Sequence, residues 1–146
     1  MTLQCGERGV PMLRGIHVFA RDVTASVAFY RRAGLEFTAA SVSKHFARSE
    51  GDRAALEIGS YELTRGYDSG FQEPPSGGST ALQIGVVSRE AVDEMFKTLT
   101  EAGYKPHLAP IDAFWGSRYA EVCDPDGNPV GFQSPRDEAK VTRPPL

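Results

Sequence analysis

Short runs in which apolar and polar residues alternate recur along this chain, and each run predicts a β-strand. Between the first two runs, Val23, Val27 and Tyr30 recur at helical spacing, and Gly34 ends that helix. The first half of the chain is therefore predicted to run strand, helix, strand, strand, strand. The four predicted strands are residues 12–21, 35–42, 45–48 and 53–58.

The second half repeats this order of elements. A strand at 80–87 precedes a helix at 88–102 that Gly103 closes, and the strands 105–108, 117–123 and 130–133 follow. Short sequences also correspond, since Ile16-His17-Val18 matches Leu82-Gln83-Ile84, and Leu56-Glu57-Ile58 matches Val130-Gly131-Phe132. Such a repeat predicts two supersecondary units that pair their sheets.

The last two strands form a hairpin with a strongly specified turn. Residues 114–133 read FWGSRYAEVCDPDGNPVGFQ, in which Asp124-Pro125-Asp126-Gly127-Asn128 places five turn formers in succession. Asp124 and Asp126 are therefore interpreted as turn residues rather than as a catalytic pair of carboxylates.

Residues 61–79 interrupt the alternation, because they are rich in glycine and proline and predict an irregular connection. At this length the segment is either a linker or a lid, and Tyr67 and Phe71 lie within it. The predicted organisation is an N-terminal arm (1–11), a first module (12–60), the linker or lid (61–79), a second module (80–134) and a C-terminal tail (135–146), with one domain spanning 12–134.

Composition excludes several classes of function. The chain of 146 residues has a net charge of −3 and a pI near 5.6, without a basic cluster, which argues against nucleic-acid binding. No apolar run is long enough to span a bilayer, and no secretory signal is evident. Cys5 and Cys123 lie far apart and are interpreted as free thiols in the cytoplasm.

The paired βαβββ modules and the DPDGN turn resemble the vicinal oxygen chelate superfamily, which contains glyoxalases, bleomycin-resistance proteins and dioxygenases. The sequence WGSRY before the turn is similar in particular to the bleomycin-resistance-like branch. The resemblance covers residues 12–134. It implies an α+β fold in which two βαβββ modules pair into a curled, cup-shaped mixed sheet with helices outside, and it implies a homodimer.

In metal-using members of that superfamily, the ligands lie on the first and last strands of each module. Alternation places His17, Glu57, Gln83 and Gly131 on the corresponding inward face. The resemblance implies a glutamate where this chain has Gly131, so an anionic ligand and candidate base is missing. His17, Glu57 and Gln83 remain as an alternative site for Zn, Ni, Mn or Fe. Glu57 is alternatively a cross-strand partner of Arg48 or Arg53.

The favoured hypothesis is a metal-independent, non-enzymatic protein that binds an aromatic or amphipathic small molecule, with antibiotic sequestration as one such role. The alternative is a divalent-metal-dependent lyase, isomerase or dioxygenase. A binding site without metal needs flat apolar walls and a few polar groups, and the missing side chain at Gly131 leaves room for a bulky guest. The predicted ligand-binding residues are His17, Phe19, Phe46, Arg48, Glu57, Gln83, Trp115 and Tyr119.

Overall fold

The protein is described from a computed structural model that covers residues 13, 15–51, 54–75 and 80–145. The chain divides into two compact units, Met1–Pro74 and Pro75–Leu146, and the boundary falls within the predicted linker. The N-terminal arm, Cys5 and Arg53 lie outside the described residues.

The first unit is a three-stranded mixed sheet with two helices. Its elements are β1 (Gly15–Ala20), α1 (Val23–Arg32), β2 (Phe46–Arg48), β3 (Ala55–Ser60) and α2 (Tyr61–Tyr67). The strand order is β1-β3-β2, with β1 parallel and β2 antiparallel to the central β3. Helix α1 packs on β3 and β2, and its side chains Val23, Val27 and Tyr30 are buried as the helical spacing predicts; Phe29 is buried as well.

The second unit has four strands and one long helix. Its elements are β4 (Leu82–Gly85), α3 (Arg89–Glu101), β5 (Pro106–Asp112), β6 (Arg118–Cys123) and β7 (Pro129–Gln133), in the strand order β4-β7-β6-β5. Val122, Val130 and Phe132 are fully buried and form its core with Val92 and Leu99 of α3. The α+β class and the strand-helix-strand order of this module are confirmed.

The predicted strand at 35–42 is wrong. This segment is irregular and contains a short 3₁₀ helix at Ala39–Ser41, with one isolated β-bridge between Val42 and Ala47. Its polar backbone groups find other partners, since the Arg31 guanidinium donates to the carbonyl of Phe37 at 2.8 Å. Alanine has a weak preference for β-strands, and the segment after Phe37, which contains Ala39 and Ala40, does not form a strand.

The expectation of an irregular connection throughout 61–79 is also wrong, because α2 occupies its first seven residues. The Ser60 hydroxyl caps this helix by accepting a hydrogen bond from the Leu63 amide at 3.0 Å. Gly66 lies one residue before the end of the helix, so this glycine is near the point where the helix stops and does not prevent its formation. Among the described residues, no helix has the length and apolar character needed to cross a membrane.

The DPDGN turn forms as predicted. The Asp124 carboxylate accepts hydrogen bonds from the amides of Asp126 and Asn128, both at 2.9 Å, and Gly127 has the positive φ of +84° that this turn requires. The side chain of Asp124 is thus occupied by its own turn, which agrees with its interpretation as a turn former.

Candidate functional site

The register of the two sheets repeats the sequence correspondence between the modules. His17 on β1 lies directly beside Glu57 on β3, and Gln83 on β4 lies beside Gly131 on β7. In each unit the neighbouring apolar residues of the central strand, Ile58 or Val130 and Phe132, are fully buried on the opposite face. His17, Glu57, Gln83 and Gly131 therefore lie on the face of their sheet opposite these buried residues, which we call the open face.

Three charged or polar side chains meet on the open face of the first unit. Glu57 accepts a hydrogen bond from Arg48 at 3.1 Å, and its second oxygen lies 3.7 Å from Nδ1 of His17. Arg48 and Glu57 are directly opposite each other on β2 and β3. The interpretation of Glu57 as a cross-strand partner of Arg48 is thus confirmed, and a guanidinium already neutralises this carboxylate.

The imidazole of His17 lies against the backbone of Gly59. A Cβ atom at Gly59 would stand 2.4 Å from Nε2 of His17, so only glycine leaves space for the ring. That Nε2 atom is buried and has no hydrogen-bond partner among the described residues. The side chain therefore presents Nδ1 to Glu57 and its other nitrogen to the sheet.

Aromatic rings surround this polar group within the first unit. The centroid of the His17 ring is 5.0 Å from that of Phe19 and 6.4 Å from that of Phe46. Phe71 follows α2 and packs on Phe19 with centroids 5.1 Å apart, whereas Tyr67 is exposed. Of the two aromatic residues predicted in the linker or lid, Phe71 alone joins this cluster.

In the second unit, the ring of Tyr119 covers Gly131. A Cβ atom at Gly131 would stand 2.5 Å from the Tyr119 hydroxyl oxygen and 2.8 Å from its ring. The hydroxyl donates to Glu121 at 2.7 Å and also hydrogen-bonds the side chain of Gln83. The space left by the missing side chain at position 131 is thus filled by the chain's own tyrosine.

This environment raises the pKa of Tyr119 well above its ordinary value. Burial of the phenol is the largest cause, followed by its hydrogen bond to the Glu121 carboxylate and the charge of that carboxylate. The Tyr119 hydroxyl therefore keeps its proton, and with it the hydrogen bond to Glu121, throughout the neutral pH range.

The stability of the protein is expected to depend on this proton. Because the folded pKa of Tyr119 is raised, its contribution is fully present below the ordinary tyrosine pKa of 10.0 and is lost as the pH rises above it. Tyr119→Phe should cost about 1 kcal/mol at neutral pH, and the difference from wild type should narrow above about pH 10. Urea unfolding of the wild-type and Tyr119→Phe proteins from neutral pH to above about pH 10 measures this difference. A difference that stays constant with pH would contradict the prediction.

Trp115 extends the aromatic surface of the second unit. Its ring packs edge-on against Tyr119 with centroids 5.3 Å apart, and its Nε1 donates to the side chain of Gln133 at 3.0 Å. The residues predicted as a tail return to this loop, since Val141 forms a β-bridge with Trp115 and the Asp137 amide donates to the Gly116 carbonyl at 3.0 Å. The indole is therefore held from two sides.

Arg118 anchors the same loop from the helix side. Its guanidinium donates to Asp93 of α3 at 2.8 Å and to Asp112 at the end of β5 at 3.2 Å, and Arg89 also pairs with Asp112. The hydrogen bond to Asp93 is the largest cause that raises the pKa of Arg118. The motif WGSRY thus combines the partly exposed Trp115 and the buried Tyr119, whose rings pack together, with an arginine that fixes their backbone.

The residues present fit a divalent metal poorly within either unit. Glu57 is already paired with Arg48, Nε2 of His17 is turned to the sheet, and the amide of Gln83 is bonded to Tyr119. No cluster of three or more His, Cys, Asp or Glu side chains that could hold a metal ion occurs in the described part of the chain. His17 and Glu57 would supply two protein ligands beside the Arg48 guanidinium, and a stable site commonly has three or four.

Sequence reasoning missed Glu121 and His107. The Glu121 side chain is 17% exposed, and its second carboxylate oxygen lies 3.4 Å from Nε2 of His107. Glu121 and Tyr119 share a face because they are two residues apart on β6. That alternation could have identified Glu121, whereas His107 lies on a strand whose pairing with β6 contains register shifts.

The structure thus distributes the eight predicted ligand-binding residues over the two units. The first unit brings together His17, Phe19, Phe46, Arg48 and Glu57, and the second brings together Gln83, Trp115 and Tyr119.

Comparison with known proteins identifies the family. Residues 13–132 match the Glyoxalase/Bleomycin resistance protein/Dioxygenase superfamily, and the chain belongs to it. A family enzyme from Burkholderia phytofirmans PsJN has a similar fold, with a TM-score of 0.74, 24% identity and coverage of 84% of this chain and 97% of that one. No curated protein matches the chain.

Two further solved structures share the fold. A glyoxalase/bleomycin resistance protein/dioxygenase from Nocardioides has a TM-score of 0.71 and 22% identity, covering 93% of this chain and 91% of its own. Lactoylglutathione lyase from Agrobacterium tumefaciens has a TM-score of 0.63 and 22% identity, covering 87% and 96%. At these identities the likeness concerns the fold alone.

Proposed function

We propose that this chain is a metal-independent member of its superfamily that binds an aromatic or amphipathic small molecule. The observation that carries the proposal is the Tyr119 phenol above Gly131. Where the superfamily resemblance implies a metal-binding glutamate, this chain has a glycine, and an uncharged ring held by Gln83 and Glu121 occupies the space.

The chemistry of the two open faces supports a binding role. Phe19, Phe46 and Phe71 provide flat apolar surfaces near the Arg48–Glu57 pair of the first unit, and Trp115, which packs on the buried Tyr119, does so in the second. Planar ligands stack on such rings, and a few fixed polar groups orient them. An aromatic antibiotic is one ligand of this class, and sequestration of it by a homodimer is the role we propose to test first.

A metal-dependent lyase, isomerase or dioxygenase is the competing function, because His17 and Glu57 lie side by side with 3.7 Å between Nδ1 and a carboxylate oxygen. For protein purified without chelator, we expect far less than one divalent metal per chain. We also expect no increase in melting temperature on addition of Zn, Ni, Mn or Fe(II). Near-stoichiometric metal that is lost in His17→Ala would overturn metal independence.

Ligand binding is tested by a thermal-shift screen of aromatic antibiotics and aromatic metabolites. A compound present at a hundred times its Kd should stabilise the protein by about 2.7 kcal/mol. Trp115 is the chain's one tryptophan, so its fluorescence reports on the second unit. Trp115→Leu should weaken binding of a compound found this way, and Trp115→Phe should restore part of it. If neither variant changes the affinity, Trp115 does not contact the ligand.

A further inference from the structure

The repeat between the two units exposes a difference in charge. On the edge strand of the first unit, Arg48 lies opposite Glu57, and the two side chains form an ion pair. The corresponding strand of the second unit is β6, where Glu121 lies opposite Gly131. The equivalent position therefore carries a negative charge instead of a positive one, and the residue opposite it has no side chain with which to pair.

The environment of Glu121 contains no permanent positive charge in contact with its carboxylate. One oxygen accepts the hydroxyl of Tyr119 at 2.7 Å, and the other lies 3.4 Å from Nε2 of His107, which is charged only when protonated. No lysine or arginine of the described segments lies within ion-pair distance of this side chain. Glu57, by comparison, has a guanidinium at 3.1 Å.

A mostly buried carboxylate of this kind favours the approach of a cation. Desolvated charges in proteins are nearly always paired, because an unpaired one forfeits its hydration. The Glu121 side chain keeps 17% of its surface exposed, and its neighbour on that side, His107, is 53% exposed. The partly exposed ring of Trp115 packs on the buried ring of Tyr119, and aromatic faces attract ammonium groups.

We propose that Glu121, whose carboxylate accepts the Tyr119 hydroxyl and has no fixed cation in contact, forms a subsite for the protonated amine of an organic ligand. The carboxylate oxygen on the side of His107 accepts a hydrogen bond from the ammonium group, and the apolar part of the ligand lies toward the ring of Trp115. The inference rests on the proposed function and narrows its ligand to organic cations. The Arg48–Glu57 pair of the first unit is already neutralised and offers no equivalent subsite.

The test uses phenethylammonium as the probe, with 2-phenylethanol and 3-phenylpropionate as neutral and anionic probes of similar size. The indole N–H of Trp115 gives one resonance in a proton–nitrogen correlation spectrum, because the chain has one tryptophan. We expect saturable shifts of this resonance with phenethylammonium, and weaker or no shifts with the other two probes. Glu121→Gln keeps the acceptor for Tyr119 and should weaken phenethylammonium binding about tenfold or more.

Glu101→Gln is the matched control, since it removes one negative charge from the exposed surface of α3 in the same unit. It should leave the affinity for phenethylammonium unchanged. Equal binding of the three probes, or equal losses in the two variants, would overturn the subsite. So would the absence of any shift with phenethylammonium up to tens of millimolar.

Failure of this inference is distinct from failure of the proposed function. The thermal-shift screen could find ligands that are neutral or anionic and that bind Glu121→Gln as well as wild type. In that case the proposed binding function is supported and the cationic subsite is contradicted. If stoichiometric metal is found, the proposed function falls, whereas the phenethylammonium titration still decides whether Glu121 binds a cation.

Discussion

Gly116→Ala is expected to lower the free energy of unfolding by about 3 kcal/mol or more, combining backbone strain with steric overlap. Gly116 has a φ of +96°, which residues with a Cβ rarely adopt, and an added Cβ would stand 2.5 Å from the carbonyl oxygen of Asp137. The obstacle is backbone, so it cannot move aside as the end of a side chain could. Urea unfolding at neutral pH measures the effect.

Gly85→Ala is the control for this variant. Gly85 lies at the end of β4, an added Cβ would meet nothing within 4 Å, and its φ is not positive. Its replacement should change the stability by less than about 1 kcal/mol. A Gly116→Ala protein as stable as Gly85→Ala would show that the segment around Asp137 does not pack on the Trp115 loop as described.

Gly131→Ala is expected to cost about 1–3 kcal/mol and to displace the Tyr119 ring. The added methyl group would overlap the phenol, so Tyr119 must give up its bonds to Gln83 and Glu121. Trp115 packs on Tyr119, and its fluorescence should therefore change together with the stability. Unfolding experiments followed by tryptophan emission measure both effects at once.

A double-mutant cycle separates overlap with Tyr119 from any other effect of the substitution. In a Tyr119→Ala background the ring is absent, so Gly131→Ala should cost little or should stabilise the strand. An equal cost in the two backgrounds would mean that Tyr119 does not cover Gly131. The cycle thus tests the observation on which metal independence is argued.

Much of the second module followed from its sequence. Helix α3 has a wide apolar face between Ser88 and Gly103, and the turn residues at 124–128 specify one reversal. Strand alternation also grouped His17, Glu57, Gln83 and Gly131 on one face, and the strand register sets His17 beside Glu57 and Gln83 beside Gly131. These features depend on periodicity and turn chemistry, which act over a few residues and leave their pattern in the sequence.

The sequence predicted the wrong local structure in two segments, residues 35–42 and 61–67. Residues 35–42 carried an alternating pattern, yet the chain satisfies their polar groups through the Arg31 guanidinium and a 3₁₀ turn. The opposite holds at α2, which forms behind the capping residue Ser60 although glycine and proline dominate the segment as a whole.

The amino-acid sequence alone determined the superfamily, the order of elements in the second module and the loss of a carboxylate at Gly131. Only the tertiary structure showed what fills that space, because Tyr119 is brought over Gly131 by pairing between β6 and β7. The same holds for Glu121, whose charge stands out once Arg48 is seen to neutralise Glu57 and nothing equivalent is in contact with Glu121 among the described residues. Contacts of this kind depend on which strands lie side by side and on the rotamers of the side chains, and the alternation within one strand specifies neither.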